Sequence, residues 1–402
     1  MLRSLFSGIS GLRAHQQMMD VTGNNIANVN TTGYKSSQTV FQDTLSQMVN
    51  AAGAPQNGSG GTNPAQAGLG VRLASINANF GQGAAQTTGK SSDMMIQGDG
   101  FFVVKSGGEA LYTRAGSFTF DANGSLTTPT GQVVQGWSAN ASGDVNTAGA
   151  PGDIKLPIGI SLAPTVTDSV TLTGNFSYDE VLMAKKEIPI KAYNAEGSAV
   201  PVVLEFQKTG TQEWTVGIKG DASVTPVAVS FAPDNKAKGA IDPVTLLDTG
   251  KIDLGGIYQI DVHDLTNYSG NTEARVSNTN GSGAGVLSSY TVSNTGQIVG
   301  VFSNGLKQTL GQVALANFNN VNGLEKIGDS MFRSTVNSGL AQVGAAGSAG
   351  LGLITSGALE MSNVDLAQEF TNLVIAQRGF QANSRIITTS DEILQELVNL
   401  KR

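Results

Sequence analysis

Two stretches, residues 1–28 and residues 363–400, place hydrophobic and polar positions in the same helical rhythm. The N-terminal series steps by three and four through Leu2, Leu5, Ile9, Leu12, Gln16, Met19, Gly23 and Ile26. The C-terminal series continues the same steps through Leu366, Phe370, Leu373, Gln377, Phe380, Ser384, Ile387, Asp391, Leu394, Val398 and Lys401. This spacing is typical of a coiled-coil seam. We therefore predict a long helix at each end of the chain.

The N-terminal helix is intrinsically weak, because serine and glycine lower helix propensity. These residues are Ser4, Ser7, Gly8, Ser10 and Gly11. A helix of this kind is marginal alone and orders when it packs against a partner. We expect the two terminal helices to pair antiparallel as a coiled coil.

The start of the C-terminal helix carries a capping pattern. Ser362 and Asp365 are spaced as in a capping box, and Met361 and Leu366 are spaced as a hydrophobic staple. The pattern predicts that the helix begins near residue 363.

The sequence GNNIANVNTTGYK follows the first helix and favours turns. We predict turn or hinge roles for Asn25, Asn28 and Gly33, and for Gly357 before the last helix. The spacing of Phe41, Leu45 and Met48 predicts a short helix, and residues 51–70 have the composition of a linker. The following turn-rich stretches, 138–153 and 339–357, are further candidate hinges.

From residue 71 the hydrophobic period changes to two, which predicts strands. FFVV (101–104) reads as a buried strand, and DANG places Gly124 in a hairpin turn. A second β-rich region contains the turn NAEG at residues 194–197. Glycine-rich connectors near 141–153 and 277–285 indicate that this region is an insert in the first β domain.

The predicted fold is multidomain and mainly β, with terminal helices. Its expected divisions are a helical domain of residues 1–30 and 360–402, a linking segment of 31–70, a split β domain of 71–145 and 281–359, and an inserted outer β domain of 146–280.

Composition limits the possible functions. The 402 residues include 51 glycines and no cysteine, and the net charge is −7. Disulfides and thiolate chemistry are therefore excluded, and nucleic acid or an anionic membrane is not an expected partner. The sequence has neither a signal-peptide pattern nor an apolar run of about 18 residues. We expect no membrane insertion, and either a cytoplasmic protein or export without a cleaved signal.

The search for chemistry yields little. His15 is expected on a solvated helix surface and His263 in a structural strand position. The sequence lacks the HExxH and P-loop motifs. Asp121 begins a stretch like a calcium loop, but Gln132 stands where the bidentate glutamate belongs. We expect neither an enzyme nor a bound metal or cofactor.

Apolar residues also lie beside the C-terminal seam, at Val374, Ile386, Ile393 and Leu397. A helical hairpin packed on its own β domain is one interpretation. The other is that partner chains cover this surface, and repeated contact between identical chains that does not close produces a helical filament. A secreted adhesin is a further alternative, and it would carry a cleaved signal and be a stable monomer.

Both ends resemble signatures of bacterial flagellar rod and hook proteins. SGLRAHQQMMDVTGNNIANVNTTGYK (10–35) is similar to the family's N-terminal signature, and LEMSNVDLAQEFTNLVIAQRGFQANSRIITTSDEILQELVNLKR (359–402) to its C-terminal one. GDGFFVV and FSNGLKQTLGQVALANF resemble its β domain. The length and large insert are more typical of hook members than of the shorter distal rod members, which remain the alternative.

The resemblance implies a homopolymer that forms a short, curved, hollow tube and acts as a universal joint between rod and filament. It also implies contacts with distal rod, hook cap and hook–filament junction proteins, extracellular localisation, and passage through the flagellar type III export apparatus. The subunit-interface residues that we predict on the terminal helices are Leu5, Ile9, Leu12, Met19, Ile26, Leu366, Phe370, Leu373, Phe380, Ile387, Leu394 and Val398.

Overall fold

The structure, a computed structural model, describes residues 2–55, 60–156, 159, 161–221, 224–231, 236–238, 251–254 and 256–399. The chain divides into two compact units. The first unit is Met1–Pro157 with Tyr290–Val299 and Gln308–Arg402. The second unit is Ile158–Ser289 with Gly300–Lys307.

The elements follow one another in three runs. The first run is α1 (Leu2–Ala27), β1 (Ser37–Asp43), β2 (Ser46–Asn50), β3 (Ala65–Gly68), β4 (Val71–Ala78), β5 (Ala85–Thr87), β6 (Met94–Gln97), β7 (Phe101–Ser106), β8 (Glu109–Thr113), β9 (Thr119–Phe120), β10 (Leu126–Thr127), β11 (Val133–Ser138) and β12 (Gly152–Asp153). The second run is β13 (Ser161–Leu162), β14 (Ser169–Asn175), β15 (Lys185–Tyr193), β16 (Ala199–Lys208), β17 (Glu213–Ile218), β18 (Val227–Phe231), β19 (Ala237–Lys238), β20 (Lys251–Leu254), β21 (Tyr258–Thr266) and β22 (Arg275–Thr279). The third run is β23 (Gly285–Val292), β24 (Gln297–Phe302), β25 (Lys307–Asn317), a 3₁₀ turn (Val321–Gly323), β26 (Glu325–Gly328), β27 (Met331–Arg333), β28 (Gln342–Ala345), β29 (Leu353–Ser356), β30 (Ala358–Glu360) and α2 (Leu366–Asn399).

The main sheet of the first unit joins strands from both halves of the chain. β11 pairs antiparallel with β7 and β25, β7 pairs with β8, and β8 pairs with β27. We call the sheet of β7, β8, β11, β25 and β27 the β body. Aromatic side chains fill its core; the Tyr112 and Phe318 rings are edge to face with centroids 4.7 Å apart. Such pairs add to the stability from burial alone.

The second unit has its own hydrophobic core. β15 to β19 form one sheet in sequence order, and β20, β21, β14 and β22 form another. Trp214, Phe206 and Phe176 are fully buried at the centre of one cluster that contains residues of both sheets. β16 alternates in burial over its second half, with Leu204, Phe206 and Lys208 inward. This is the alternation expected of a half-buried strand.

Several predicted elements are confirmed. Both terminal helices are present, and FFVV lies in β7. Gly124 has φ +77° in the hairpin between β9 and β10, and Gly197 has φ +79° between β15 and β16. Positive φ is readily accessible to glycine, so these turns follow from the sequence.

Three local predictions are wrong. The expected helix through Phe41, Leu45 and Met48 is instead β1 and β2, and part of the expected 51–70 linker forms β3. Pairing of β1 with β4 and of β2 with β3 makes a long hairpin, so ladder hydrogen bonds overrode a weak helical spacing. The last helix begins at Leu366, not near 363, because Asp365 is the capping residue. Its Oδ1 accepts the backbone N–H of Ala367 at 2.9 Å.

The expected domain boundaries and the bounds of the two units coincide only in part. The predicted insert of 146–280 overlaps the second unit, whose bounds are Ile158–Ser289 with Gly300–Lys307. The predicted helical and linking parts fall within the first unit, and so does the predicted split β part except for residues 281–289 and 300–307, which belong to the second unit. The four-part division itself stays a prediction.

Candidate assembly site on the terminal helices

The two terminal helices pack against each other along their length. Their neighbours are Gly8 with Ile387, Gly11 with Asn383, His15 with Gly379, and Asn25 with Glu369. Residue numbers increase along α1 while those of the neighbouring residues on α2 decrease, so α1 and α2 run antiparallel.

Glycines allow the helix backbones to approach closely. A Cβ built on Gly379 would lie 2.4 Å from Nε2 of His15, and one on Gly11 would lie 2.7 Å from Nδ2 of Asn383. Real Cβ atoms keep ordinary van der Waals distances of about 3.5–4.0 Å. The glycines that weaken the helix in isolation therefore have a packing role. His15, expected on a solvated surface, is half-buried in this contact instead.

The contact face lies mainly beside the predicted seam and includes the seam residue Ile387, which lies opposite Gly8. Its buried side chains are small or polar: Ala14, Thr22, Asn25, Ala376 and Ser390. The seam residues are less covered. Half-buried members are Leu5, Leu12, Met19, Ile26, Leu373, Ile387 and Leu394. Exposed members are Ile9, Leu366, Phe370, Phe380 and Val398. Their assignment to a subunit interface stays a prediction.

Exposed apolar side chains occur along α2 on both sides of its contact with α1, and we call them together the apolar stripe. Its members are Leu366, Phe370, Val374, Ile375, Phe380, Ile386, Ile393 and Val398. Phe370 and Ile393 are each 52% exposed, and the distance along the helix between them is about 35 Å at ~1.5 Å per residue. Val374 and Ile386, predicted beside the seam, are exposed too, whereas the side chain of Leu397 lies outside the described residues. Exposed apolar side chains over such a length are typical of an interaction site.

Asn25 connects the end of α1 with the hairpin and α2. Its Oδ1 accepts the Tyr34 hydroxyl at 3.1 Å and the Ser37 N–H at 3.0 Å. Its Nδ2 donates to the Ser37 carbonyl at 2.8 Å and to Glu369 Oε1 at 3.1 Å. Burial, followed by the charge of Glu369, raises the pKa of Tyr34. Asn25 is fully buried and lies within α1, so its predicted position in a turn is wrong.

A buried ion cluster lies at the two segments that connect the terminal helices to the neighbouring strands. Glu360 Oε1 is 2.6 Å from Lys35 Nζ, and Glu360 Oε2 is 3.4 Å from an Arg114 guanidinium nitrogen. The side chains of Lys35 and Glu360 are 0% exposed, and that of Arg114 is 3% exposed. Burial lowers the pKa of Lys35 and that of Arg114, and Glu360 opposes both shifts. Nothing in the local sequence pattern indicated this cluster.

The other predicted turn residues occupy turns. Asn28 follows α1, where its Nδ2 donates to the Asn24 carbonyl at 2.9 Å. Gly33 has φ +66° and donates its N–H to the Glu360 carbonyl at 2.8 Å. A Cβ on Gly33 would lie 2.4 Å from the Ala115 nitrogen. Gly357 has φ +75° between β29 and β30. Their roles as hinges stay predictions.

The long hairpin carries a second exposed apolar area, which the sequence pattern did not predict. Leu45 is 84% exposed at the start of its outer part, and Met48, Val49 and Leu69 are exposed near it. The hairpin is attached to α1, since the Val71 N–H donates to Ser10 Oγ at 3.2 Å.

The residues considered as candidates for catalysis or metal binding have ordinary structural environments. Asp121 Oδ1 accepts the N–H groups of Asn123 at 2.9 Å and Ser125 at 2.7 Å, as in a plain turn. Gln132 accepts the hydroxyl of Thr130 at 2.6 Å, and His263 is exposed on β21. Within the described ranges, no group of three or more His, Cys, Asp or Glu side chains is placed to hold a metal ion. Neither helix in the described part of the chain is long and apolar enough to cross a membrane.

Three family models match the chain. One described as Flagella basal body rod protein matches residues 5–35. One described as Flagellar hook protein FlgE/F/G D1 domain matches residues 95–179. The third, Flagellar basal body rod FlgEFG protein C-terminal, matches residues 355–400. These ranges contain most of α1, part of the β body and all of α2.

Relatives extend the similarity over the whole chain. The flagellar hook protein FlgE of Borreliella burgdorferi is 38% identical, and that of Treponema pallidum is 35% identical, each with 100% of both chains covered. The flagellar basal-body rod protein FlgG of Bacillus subtilis is 32% identical over 100% of both chains. A crystal structure of the Helicobacter pylori hook protein FlgE2 has a TM-score of 0.52, 14% identity, and coverage of 69% of this chain and 100% of that one. The full-length identities show that the chain belongs to the family of bacterial flagellar hook and rod proteins.

Proposed function

We propose that this protein is the structural subunit of the bacterial flagellar hook. Many copies assemble into a hollow, curved helical tube, which transmits torque from the rod to the filament as a universal joint. The observation that carries the proposal is the apolar stripe on α2, which α1 leaves exposed. The full-length similarity to proteins named flagellar hook protein supports the same function.

The stripe supplies a reason for assembly. Full burial of one large apolar side chain contributes about 1.5–3 kcal/mol, and the stripe offers several such side chains, including Phe370 and Val374. A neighbouring copy that covers them makes a heterologous contact, and repetition of such a contact builds a helical tube. In this arrangement the terminal helices form a coiled-coil inner tube around an export channel, and the predicted seam residues lie at the subunit interface.

The tube must bend while it transmits rotation. We assign axial continuity to the terminal helices, and adaptable polar contacts to the outer β domain of residues 146–280. Compression and extension of each subunit would then occur through segments that contain many small and polar residues. The candidates are residues 31–70, 138–153 and 339–357.

The proposed partners follow from the position of a hook. They are further copies of this chain, the distal rod, the hook cap, the hook–filament junction proteins and the flagellar type III export apparatus. The proposed location is outside the cell, reached without a cleaved signal peptide, and the role is structural and not enzymatic.

The distal rod is the second candidate, because the Bacillus subtilis rod protein is also similar over its full length. A rod is a straight and rigid tube, so shape separates the two functions. Electron microscopy of material assembled from the purified chain should show curved hollow tubes. Straight tubes would favour the rod, and a dispersed monomer would contradict both.

A pair of variants tests the stripe directly. Phe370→Asp introduces a charge into the stripe and should prevent tube growth. Thr389→Asp adds the same charge at an exposed polar position of α2 on the face away from Phe370, and it should still assemble. Equal assembly of both variants would show that the stripe does not hold copies together.

A further inference from the structure

A short loop between β27 and β28 exposes two large apolar side chains, Val336 and Leu340, which we call the knob. The exposed fractions are 104% for Val336 and 92% for Leu340, the highest of any large apolar residue in the described part of the chain. Apolar side chains scattered singly on a surface are ordinary. Two on one loop, both left wholly in water, indicate a contact that their own chain does not supply.

The loop that carries the knob is held in place by polar contacts. Ser338 is fully buried, and its N–H donates to the Thr335 carbonyl at 3.2 Å. The Thr335 hydroxyl donates to the Gly323 carbonyl at 2.6 Å, and Asn320 Nδ2 donates to the Asn337 carbonyl at 3.0 Å. A loop that is already fixed loses little conformational entropy when it binds. The knob is therefore a preformed projection.

The surroundings of the knob in the sequence are uncharged. No Asp, Glu, Lys, Arg or His occurs between Arg333 and Glu360. Covering the knob therefore takes no charge of its own loop out of water, which is the step that makes burial costly. The surface that fits such a projection is apolar and concave.

The first unit contains a pocket of this character. Its volume is about 220 Å³, and it lies beside the ends of β8 and β10 and the start of β27. Its lining includes Ala115, Thr128, Pro129, Thr130, Asp329 and Met331. An apolar cavity of about 150 Å³ accommodates a benzene molecule, so the pocket has room for an aliphatic side chain of the knob.

Hydroxyl groups in the lining already have partners within the chain. Thr113 Oγ1 donates to the Ser330 carbonyl at 2.9 Å, and Thr130 Oγ1 donates to Gln132 Oε1 at 2.6 Å. A side chain that enters the pocket therefore meets mainly methyl groups and other carbon atoms.

One edge of the pocket is a strained turn. Asp329 and Ser330 have φ +50° and +56° in the two-residue connection between β26 and β27. Positive φ is uncommon for residues other than glycine, and strain of this kind concentrates at functional sites. The exposed Asp329 also places a carboxylate at the rim.

We propose that the knob of one copy enters this pocket on a neighbouring copy. The contact rests on the proposed hook function and adds to it a second point of assembly, separate from the apolar stripe. Projection and pocket are different surfaces of the same chain, so the contact is heterologous and can repeat without closing. Thr31 and Thr32 complete one wall, so the pocket is complete only when the segment after α1 lies against the β body.

A disulfide between copies tests the contact, because the natural sequence has no cysteine. One preparation carries Leu340→Cys and another carries Thr130→Cys, both at exposed positions. The two are assembled together under mild oxidation. Each chain then holds one thiol, so every disulfide joins two copies, and its formation requires Cα atoms about 4.4–6.8 Å apart. We expect covalent dimers from the mixture and none from either preparation alone.

Thr209→Cys replaces Thr130→Cys in the matched control. Thr209 is an exposed threonine of the second unit, and its mixture with Leu340→Cys should give no dimer. Electron microscopy scores tubes separately. Curved tubes without the mixed dimer would overturn the contact and leave the hook function standing. Straight tubes with the dimer would support the contact and favour the rod, whereas an unaltered chain that forms no tubes would refute contact and hook function together.

A charge series measures the strength of the contact without any cross-link. Leu340→Asp should raise the critical concentration for tube growth by about 10- to 100-fold, since the burial of one large apolar side chain is lost. Leu340→Lys should raise it less, because Asp329 at the rim repels the first substituent and attracts the second. Thr209→Asp is the control and should leave the critical concentration unchanged. Equal critical concentrations for all three variants would overturn the contact.

Discussion

The close approach of the terminal helices predicts that Gly379→Ala weakens their packing. The added methyl group would lie 2.4, 2.5 and 2.8 Å from three atoms of the His15 ring. These distances are about 1 Å shorter than ordinary carbon contacts. The ring or the helix must move before the methyl group can be accommodated.

Two opposing terms set the magnitude. Overpacking of a close contact typically costs about 1–3 kcal/mol. Replacement of glycine by alanine inside a helix gains about 1 kcal/mol from propensity. The net expectation for Gly379→Ala is a loss of about 0–2 kcal/mol, since the overpacking term is the larger.

Gly23→Ala is the matched control on α1. A Cβ at Gly23 meets nothing within 4 Å, so only the propensity term applies and the helix should gain about 0.5–1 kcal/mol. Gly379→Ala should lower the stability of its helix and Gly23→Ala should raise it. The two changes in free energy of helix opening should therefore differ by about 1–3 kcal/mol. His15→Ala combined with Gly379→Ala removes the obstructing ring, and the double-mutant cycle should show a coupling of about 0.5–3 kcal/mol.

Amide hydrogen exchange in α2 is the suitable assay, because opening of a terminal helix is a local event that a thermal melt of a two-unit chain does not resolve. Protection around residues 376–387 should fall in Gly379→Ala and recover in the double variant. Equal or higher protection in Gly379→Ala, as in Gly23→Ala, would refute the close helix contact.

Three further outcomes can be measured. Phe380→Asp and Leu394→Asp should each block tube growth in electron microscopy while the β domains stay folded by tryptophan fluorescence; continued growth would refute the seam assignment. Asn25→Ala leaves the Tyr34 hydroxyl and the Ser37 N–H without their partner, so it should cost about 1–3 kcal/mol as lost exchange protection at the end of α1; unchanged protection would contradict this. The pKa of Tyr34 is raised above its ordinary value of 10.0, so the unfolded chain releases this proton first and stability should fall as pH rises above 10. Tyr34→Phe should reduce that slope in alkaline denaturation, and an unchanged slope would count against it.

Local patterns in the sequence predicted much of the secondary structure. The three-four alternation identified both helices, and the turns at Gly124 and Gly197 followed from residue chemistry. The alternation did not show which of two adjacent helix faces meets the other helix. Gly8, Gly11 and Ala14 are spaced by three, and this small-residue spacing was the available signal for the contact face.

Other features depend on distant parts of the chain. Lys35 and Glu360 are 325 positions apart, so neither residue indicates the other by periodicity or by motif. The prediction of a helix near Phe41 is wrong for a related reason. The backbone at this position pairs with β4, which follows the hairpin tip in the sequence. The exposure of Leu45, between β1 and β2, follows from this pairing and not from the local composition.

The pairing of β11 with β25 has a consequence for the order of folding. Gly136 lies opposite Val313, so this ladder waits for chain that comes after the whole of Ile158–Ser289. Ladders between distant segments form slowly because a long loop must close first. On a chain that emerges with its N-terminus first, the second unit can therefore fold early, while the central sheet and both helices become complete only with the last residues. If a subunit is threaded through a narrow channel, as proposed above, it gains its capacity to join others only when its tail is released.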